Sequence, residues 1–230
     1  MARIGFITAL KSEAGCLEGV LGQTSLLNFV SGIGPDAAKR AAELAVNAEC
    51  DTLVSFGYAG ALDPTLRTGD LMCGLSVANE DIIIHSDKTI ITRLESFIDE
   101  TSDIRSKSSR IYGSSHVLHS VTQKLDLWKK GAWEAVDMES ISIGYTAQQH
   151  GLTFLIVRAI LDTTVISPPT GLSRITDENG HVRSGRALWE VVKNPKIAPR
   201  YAVLAAARRK ANQTLRRVAP LLVRSILDGR

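Results

Sequence analysis

Residues 153–162 read Thr-Phe-Leu-Ile-Val-Arg-Ala-Ile-Leu-Asp, and this stretch is the strongest indication of the fold. It is short, almost entirely apolar, and ends at the acidic side chain of Asp162. An extended segment without a polar face has to be covered on both sides, as in the parallel or mixed sheets of α/β proteins. We therefore predict a buried strand that carries Asp162 at its end.

The rest of the chain alternates strand patterns with helix patterns. Further strands are predicted at residues 3–9, 25–31 and 52–56 and within 70–84. Helices are predicted from Pro35 to about residue 49 and at 138–149. Connecting segments are predicted at 94–110 and 166–185, and two helical pieces at 186–227, divided near Asn194-Pro195 and Pro199. This alternation predicts an α/β fold, a single-domain three-layer sandwich with a mixed central sheet over residues 1–230.

The composition is that of a globular protein. Hydrophobic residues make up 44% of the 230 residues and charged residues 22%, which is close to the average for folded domains. The three cysteines, Cys16, Cys50 and Cys73, fit neither a disulfide framework nor a zinc site, and no histidine and carboxylate cluster has metal spacing. Without a secretion signal or an apolar membrane segment, the chain is predicted to be cytoplasmic, with no metal and no cofactor.

The charge is unevenly distributed along the chain. From residue 183 onward there are twelve basic residues against Glu190 and Asp228, a net charge of +10, whereas the preceding residues carry −7. We expect a basic helical C-terminal extension at about 183–230. Such an extension on an acidic body favours a polyanionic neighbour, whether a membrane surface, nucleic acid or another subunit. Nucleic acid is the least favoured, because the segment has few aromatic residues and no recognition motif.

Three acidic positions stand where strands end or helices begin. They are Glu13 after the first strand, Asp137 with Glu139 around Met138, and Asp162. Each has an ordinary explanation as a solvated residue, a helix-terminal charge or a turn aspartate. Together they can supply leaving-group protonation, a hold on a sugar and activation of a nucleophile, which are the needs of ribosidic bond cleavage.

Two glycine turns follow predicted strands, at residues 31–34 and 57–60. Small residues there let backbone amides approach a ligand closely. Gly32-Ile33-Gly34 lacks the third glycine of a dinucleotide-binding fingerprint, so a Rossmann site is not predicted.

These segments, in this order, resemble the purine nucleoside phosphorylase and uridine phosphorylase superfamily, especially its 5′-methylthioadenosine/S-adenosylhomocysteine nucleosidase branch. The resemblance rests on residues 4–13, 31–34, 57–60, 66–70, 135–139 and 157–162. It implies a nucleoside phosphorylase-like fold, a nucleoside substrate and a homo-oligomer.

The resemblance also implies a role for individual residues. Glu13 would activate a water molecule, Glu139 would hold the ribose hydroxyls against Met138, and Asp162 would protonate N7 of the departing purine. The purine pocket would be formed by Ser115, His116 and Val117, and the nucleophile would lie near Gly57, Tyr58 and Ala59. His116 stands where the family has an aromatic ring. Water and phosphate both remain open as nucleophile, so phosphate stays a candidate co-substrate.

The long basic C-terminal part resembles the hopanoid-associated phosphorylase subfamily. That resemblance implies a lipid-linked nucleoside, adenosylhopane, as substrate, and peripheral contact with the inner face of the membrane through the basic helices. An ordinary packed C-terminal helix with a solvated charged face fits the pattern equally well. Two other functions stay open: a methylthioadenosine/S-adenosylhomocysteine nucleosidase, and a noncatalytic nucleoside-binding or membrane-docking module.

Overall fold

The computed structural model describes residues 3–22, 24–101, 103–118, 120–131, 133–164 and 198–228. Within these residues, eight strands form one mixed sheet: β1 Ile4–Thr8, β2 Leu26–Val30, β3 Thr52–Ala61, β4 Leu71–Ala78, β5 Ile83–His85, β6 Ser106–Gly113, β7 Ala135–Asp137 and β8 Thr153–Asp162. The helices of the same residues are α1 Lys11–Ala14, α2 Pro35–Asn47, α3 Lys88–Thr101, α4 Val121–Gly131, α5 Ser140–Gln149 and α6 Ala198–Leu227.

The sheet curls into a ring at its centre. Its strand order is β2-β1-β3-β7-β6-β4-β5, and β8 closes the ring by pairing in parallel with β3 and in antiparallel with β4. At the end of β3, Gly60 is aligned with both Val136 of β7 and Asp162 of β8. The register therefore brings the ends of these two strands to the same place.

Helices cover both faces of the sheet, which confirms the predicted α/β class with a mixed central sheet. Alternate residues of β8 enter different cores because successive side chains of a strand point to opposite faces. Leu155 and Val157 pack in the cluster that contains residues of α3 and α6. Phe154 and Ile156 pack in the cluster that contains residues of α2 and α5.

Two predictions about local structure are wrong. Residues 94–110 are not a polar connection, because they contain more than half of α3 and more than half of β6. Helix α3 buries Ile91, Leu94 and Ile98 at helical spacing. The strand predicted at 52–56 continues to Ala61, since its small residues pair with β7 and β8.

The second of the two predicted C-terminal helical pieces agrees with α6, which begins at Ala198 and has Pro199 in its first turn, where proline is tolerated. The earlier predicted piece and the loop at 166–185 lie outside the described residues.

Helix α6 is part of the core. It buries Ala211, Leu215, Val218, Leu222 and Ile226 against the sheet and α3. Its basic side chains Arg208, Arg209, Lys210, Arg216, Arg217 and Arg224 lie on the exposed side. The described part of the chain contains no helix with the length and apolarity to cross a bilayer.

Shortening Leu215 to alanine tests this packing. We expect Leu215→Ala to lower the free energy of unfolding by roughly 2–5 kcal/mol, because a fully buried leucine leaves a cavity. Leu44→Ala in α2 is the matched control, since Leu44 is exposed, and it should change stability by less than about 0.5 kcal/mol. Urea unfolding followed by circular dichroism measures both values, and equal stability of the two variants would contradict the packed helix.

Candidate functional site

A cavity of about 190 Å³ lies where β3, β7 and β8 end. Among the residues predicted for the site, those that line it are Glu13, Tyr58, Ala59, His116, Val117, Met138, Glu139 and Asp162. Gly57 is not among the lining residues, and Ser115 lines a neighbouring cavity that shares His116 and Leu118 with this one. The three acidic positions that are far apart in the sequence therefore meet at a single cavity.

Glu13 is fixed by two backbone amides. The N–H of Leu10 donates to Oε2 and the N–H of Tyr58 donates to Oε1, each at 2.8 Å. A Cβ built on Gly57 would collide with Oε1 and lie 2.9 Å from Nη1 of Arg158. Gly57 is therefore needed behind the cavity, where any side chain would push Glu13 out of place.

Burial changes the acidity of Glu13. Only 2% of the residue is exposed, and this desolvation raises its pKa to about 7, with the charge of Glu139 acting in the same direction. The charge of Arg158 and the two backbone amides oppose the rise. A carboxyl group with a pKa near neutrality can take up and release a proton at physiological pH, as a general base must.

Arg158 lies behind the carboxylates and is 1% exposed. Its Nε is 2.9 Å from Oδ2 of Asp137, and its Nη2 is 3.5 Å from Oε2 of Glu139. Nη2 also donates to Oγ of Ser55 at 2.6 Å. Burial alone would lower the pKa of Arg158, but Asp137, Glu139 and Glu13 raise it above its ordinary value. The guanidinium is thus a fixed positive charge shared by three carboxyl groups.

The two acidic residues of the 137–139 segment have different partners. Asp137 accepts the backbone N–H groups of Glu139 and Ser140 and the hydroxyl of Ser140, which ties it to the start of α5. Glu139 accepts the N–H of Gly34 at 3.0 Å, and burial raises its pKa. Gly34 has a φ of +100°, a conformation that other residues rarely adopt. The turn at 31–34 therefore positions Glu139.

Asp162 forms an ion pair that the sequence did not reveal. Its Oδ2 accepts from Nζ of Lys124 in α4, and the same Nζ donates to the carbonyl of Thr163 at 3.2 Å. Lys124 is 1% exposed and belongs to the cavity lining. A charge-assisted contact of this kind fixes the position of a carboxyl group. Asp162 is therefore held in place at the cavity wall by a partly buried ion pair.

Tyr58 contacts its neighbours through two different groups. Its N–H holds Glu13, while its hydroxyl donates to Oδ1 of Asn212 in α6 and lies 3.1 Å from Oγ of Ser12. Burial raises the pKa of this hydroxyl. The phenol is therefore held as a neutral group, and it connects the C-terminal helix to the segment that carries Glu13.

Sequence reasoning missed Arg158, Lys124 and Asn212 as members of the site. Arg158 had a signal, because an arginine inside an apolar strand has to be paired with acidic groups. Lys124 and Asn212 had none, since each lies in an ordinary amphipathic pattern and meets the site only through the fold.

The pKa of Glu13 makes stability depend on pH. Between pH 4.5 and about 7 the folded protein keeps a proton on Glu13 that the unfolded chain releases, so this contribution to stability is lost as the pH rises. We expect the parent to lose on the order of 3 kcal/mol more than Glu13→Gln between pH 4.5 and 8. Urea unfolding at a series of pH values measures this difference, and parallel curves for parent and variant would contradict the shifted acidity.

Comparisons with known proteins agree with this architecture. Residues 16–192 match the model of the phosphorylase superfamily. A 5′-methylthioadenosine/S-adenosylhomocysteine nucleosidase of Staphylococcus aureus (strain JH9) is 26% identical over 196 residues, which cover 69% of this chain and 86% of the relative.

Solved structures share the fold. The futalosine hydrolase of Helicobacter pylori superposes with a TM-score of 0.74 at 16% identity, covering 96% of this chain and 97% of that one. The 5′-methylthioadenosine/S-adenosylhomocysteine nucleosidase of Neisseria meningitidis, in complex with methylthio-immucillin-A, superposes with a TM-score of 0.75 at 18% identity, covering 98% and 100%.

Proposed function

The chain belongs to the phosphorylase superfamily, and from this membership we propose that it hydrolyses the N-ribosidic bond of a 5′-substituted adenosine and releases adenine. The observation that carries the proposal is the meeting of Glu13, Glu139 and Asp162 around one cavity with Arg158 behind two of them. The name of the Staphylococcus aureus relatives supports the same bond type.

Each carboxyl group has a task in this proposal. Glu139 accepts hydrogen bonds from the ribose hydroxyls, and Met138 packs on the sugar. Asp162 gives a proton to N7 of the purine while the bond between C1′ and N9 breaks. Glu13 takes a proton from the water that attacks C1′. The negative charges around the cavity stabilise the positive charge that develops on the ribose.

The charges at the cavity support water, not phosphate, as the nucleophile. Within the described residues, Lys124 is the only lysine or arginine that lines the cavity, and it is paired with Asp162. Arg158 is paired with Asp137 and Glu139. A phosphate ion would have to approach several carboxylates without an uncommitted cation in this lining, which Coulomb repulsion disfavours.

The residues around the mouth of the cavity favour a substrate with an apolar 5′ substituent. We propose that this substrate is adenosylhopane. Leu10, Leu118 and Leu161 line the cavity together with Ile33 and Val117, which are 44% and 43% exposed. Exposed apolar side chains at the rim of a site suit an apolar ligand that extends outward. Methylthioadenosine or S-adenosylhomocysteine is the second candidate, favoured by the Staphylococcus aureus relatives.

Adenine release distinguishes these substrates. We expect the protein to release adenine from adenosylhopane without phosphate, and phosphate should not accelerate the reaction. Asp162→Asn should lower kcat by roughly 10²–10⁴-fold, the usual contribution of a general acid. Asp99→Asn is the control, because Asp99 is exposed on α3. Liquid chromatography of free adenine is the measurement.

The other outcomes of that assay are equally informative. Release from methylthioadenosine or S-adenosylhomocysteine but not from adenosylhopane would remove the lipid-linked substrate. Ribose 1-phosphate formation would replace hydrolysis by phosphorolysis. Nucleoside binding that survives Asp162→Asn, without turnover by the parent, would support a noncatalytic binding module.

A lipid-linked substrate requires access to a membrane, and we propose that α6 provides it on the cytoplasmic side. Arg208 and Arg209 are exposed in the first half of the helix, and Asn212 in the next turn contacts Tyr58. Basic side chains next to the site would bring the cavity to a surface of anionic lipid headgroups.

Vesicle binding tests this contact. Replacing Arg208 and Arg209 by glutamine should weaken binding to phosphatidylserine-containing vesicles by roughly 30-fold, at about 1 kcal/mol for each charge. Replacing Lys39 and Arg40 by glutamine removes the same charge from exposed positions of α2, which packs on the opposite face of the sheet. Sedimentation of vesicles measures both. Equal losses in the two double variants, or none, would exclude α6 as the docking element.

A further inference from the structure

Lys124 is the one described residue of α4 that is fully buried. Its helix neighbours Lys129 and Lys130 are exposed, as is usual for lysine, which extends its ammonium group into water. Lys124 instead places its ammonium group against Oδ2 of Asp162 and the carbonyl of Thr163, at the wall of the cavity. An apolar side chain would bury the same surface without the cost of desolvating a charge.

We propose that Lys124 is a positioning residue for the proton transfer by Asp162, an inference that rests on the proposed function. It fixes the carboxyl group at the end of β8, since its ammonium group holds both Asp162 and the backbone of the next residue. A carboxyl group that is fixed in one orientation reacts without the loss of rotational freedom that a freely rotating one would undergo.

The proton balance of the reaction is closed without a further reactant. As the bond between C1′ and N9 breaks, its electron pair stays with the purine, and the proton of Asp162 moves to N7. Asp162 becomes a carboxylate that remains in contact with Lys124. Water adds to C1′ and gives its proton to Glu13, and exchange with solvent returns a proton to Asp162 and removes one from Glu13.

Other ionisable residues lie near the pair of Lys124 and Asp162. Glu13, Asp137 and Glu139 also line the cavity, and Arg158 holds two of these three carboxylates. His116 lines the cavity as well, with its Nδ1 2.7 Å from Oγ of Ser115. None of these residues is changed by a substitution at position 124, so a difference between variants reports on the pair of Lys124 and Asp162.

A comparison of two substrates with different leaving groups distinguishes the positioning role of Lys124 from a purely structural one. With the adenosine substrate, Lys124→Met should lower kcat by roughly 10–100-fold, part of the usual effect of a general acid. With a 4-nitrophenyl riboside, whose leaving group departs without a proton, the loss should be less than about threefold. Lys124→Arg should recover most of the adenine release, because the cation is kept. Lys129→Met is the matched control and should behave like the parent.

The kinetic constants give a second readout. Because Lys124 is proposed to orient Asp162 for proton transfer and not to bind the nucleoside, Lys124→Met should lower kcat with the adenosine substrate and change KM by less than about threefold. Thermal unfolding of each variant checks that it is folded.

Four outcomes decide whether Lys124 has this positioning role. A selective loss of kcat with the adenosine substrate, with KM nearly unchanged, supports the positioning role. Equal losses with both substrates make Lys124 a structural residue and overturn the inference. Parent-like activity of Lys124→Met overturns the inference alone and leaves the proposed function standing. A parent that releases no adenine overturns the proposed function, and the inference fails with it.

Discussion

The buried guanidinium of Arg158 is the interaction on which the site depends. An arginine in the middle of an apolar strand is stable only if carboxylates neutralise it, and Asp137 and Glu139 do so directly. The positive charge of Arg158 also interacts with the carboxyl group of Glu13. Removing the cation would leave acidic groups crowded together without a neutralising charge, so the positions of these carboxyl groups depend on Arg158.

The small residues at the end of β3 allow this arrangement. Gly57 leaves room for Glu13 against the strand, and a Cβ on Gly60 would lie 3.2 Å from Oδ1 of Asp162. Because Gly60 is aligned with β7 on one side and β8 on the other, the acidic residues of both strands converge there. The close approach of Glu13 leaves no room for a side chain at Gly57, and at Gly60 a side chain would contact Asp162 tightly. The same two residues belong to β3.

The site contains two separate sets of ion pairs, one formed by Arg158 and the other by Lys124. Arg158 gathers the carboxylates on the side proposed for the ribose and the water, while Lys124 is bound to the carboxylate proposed for the purine. The carboxyl groups of one cavity therefore have different charged partners. Helix α6 is joined to the first system through Asn212 and Tyr58, so the basic C-terminal helix and the catalytic segment are parts of one packed unit.

The sequence by itself determined the fold class and most of the acidic residues at the cavity. The apolar run ending at Asp162 predicted a covered strand, and the order of the glycine turns and acidic segments placed Glu13, Glu139 and Asp162 in one site. It failed at residues 94–110, where the hydrophobic positions of α3 are diluted by polar ones, and at residues 57–61, where glycine and alanine hid the continuation of β3.

Only the tertiary structure decided which charges are paired. Lys124 reaches Asp162 across 38 positions and Asn212 reaches Tyr58 across 154, and no local pattern records such contacts. The physical reason is that hydrophobic periodicity reports which face of an element is buried, whereas the partner of a buried charge depends on how separate elements are registered against one another.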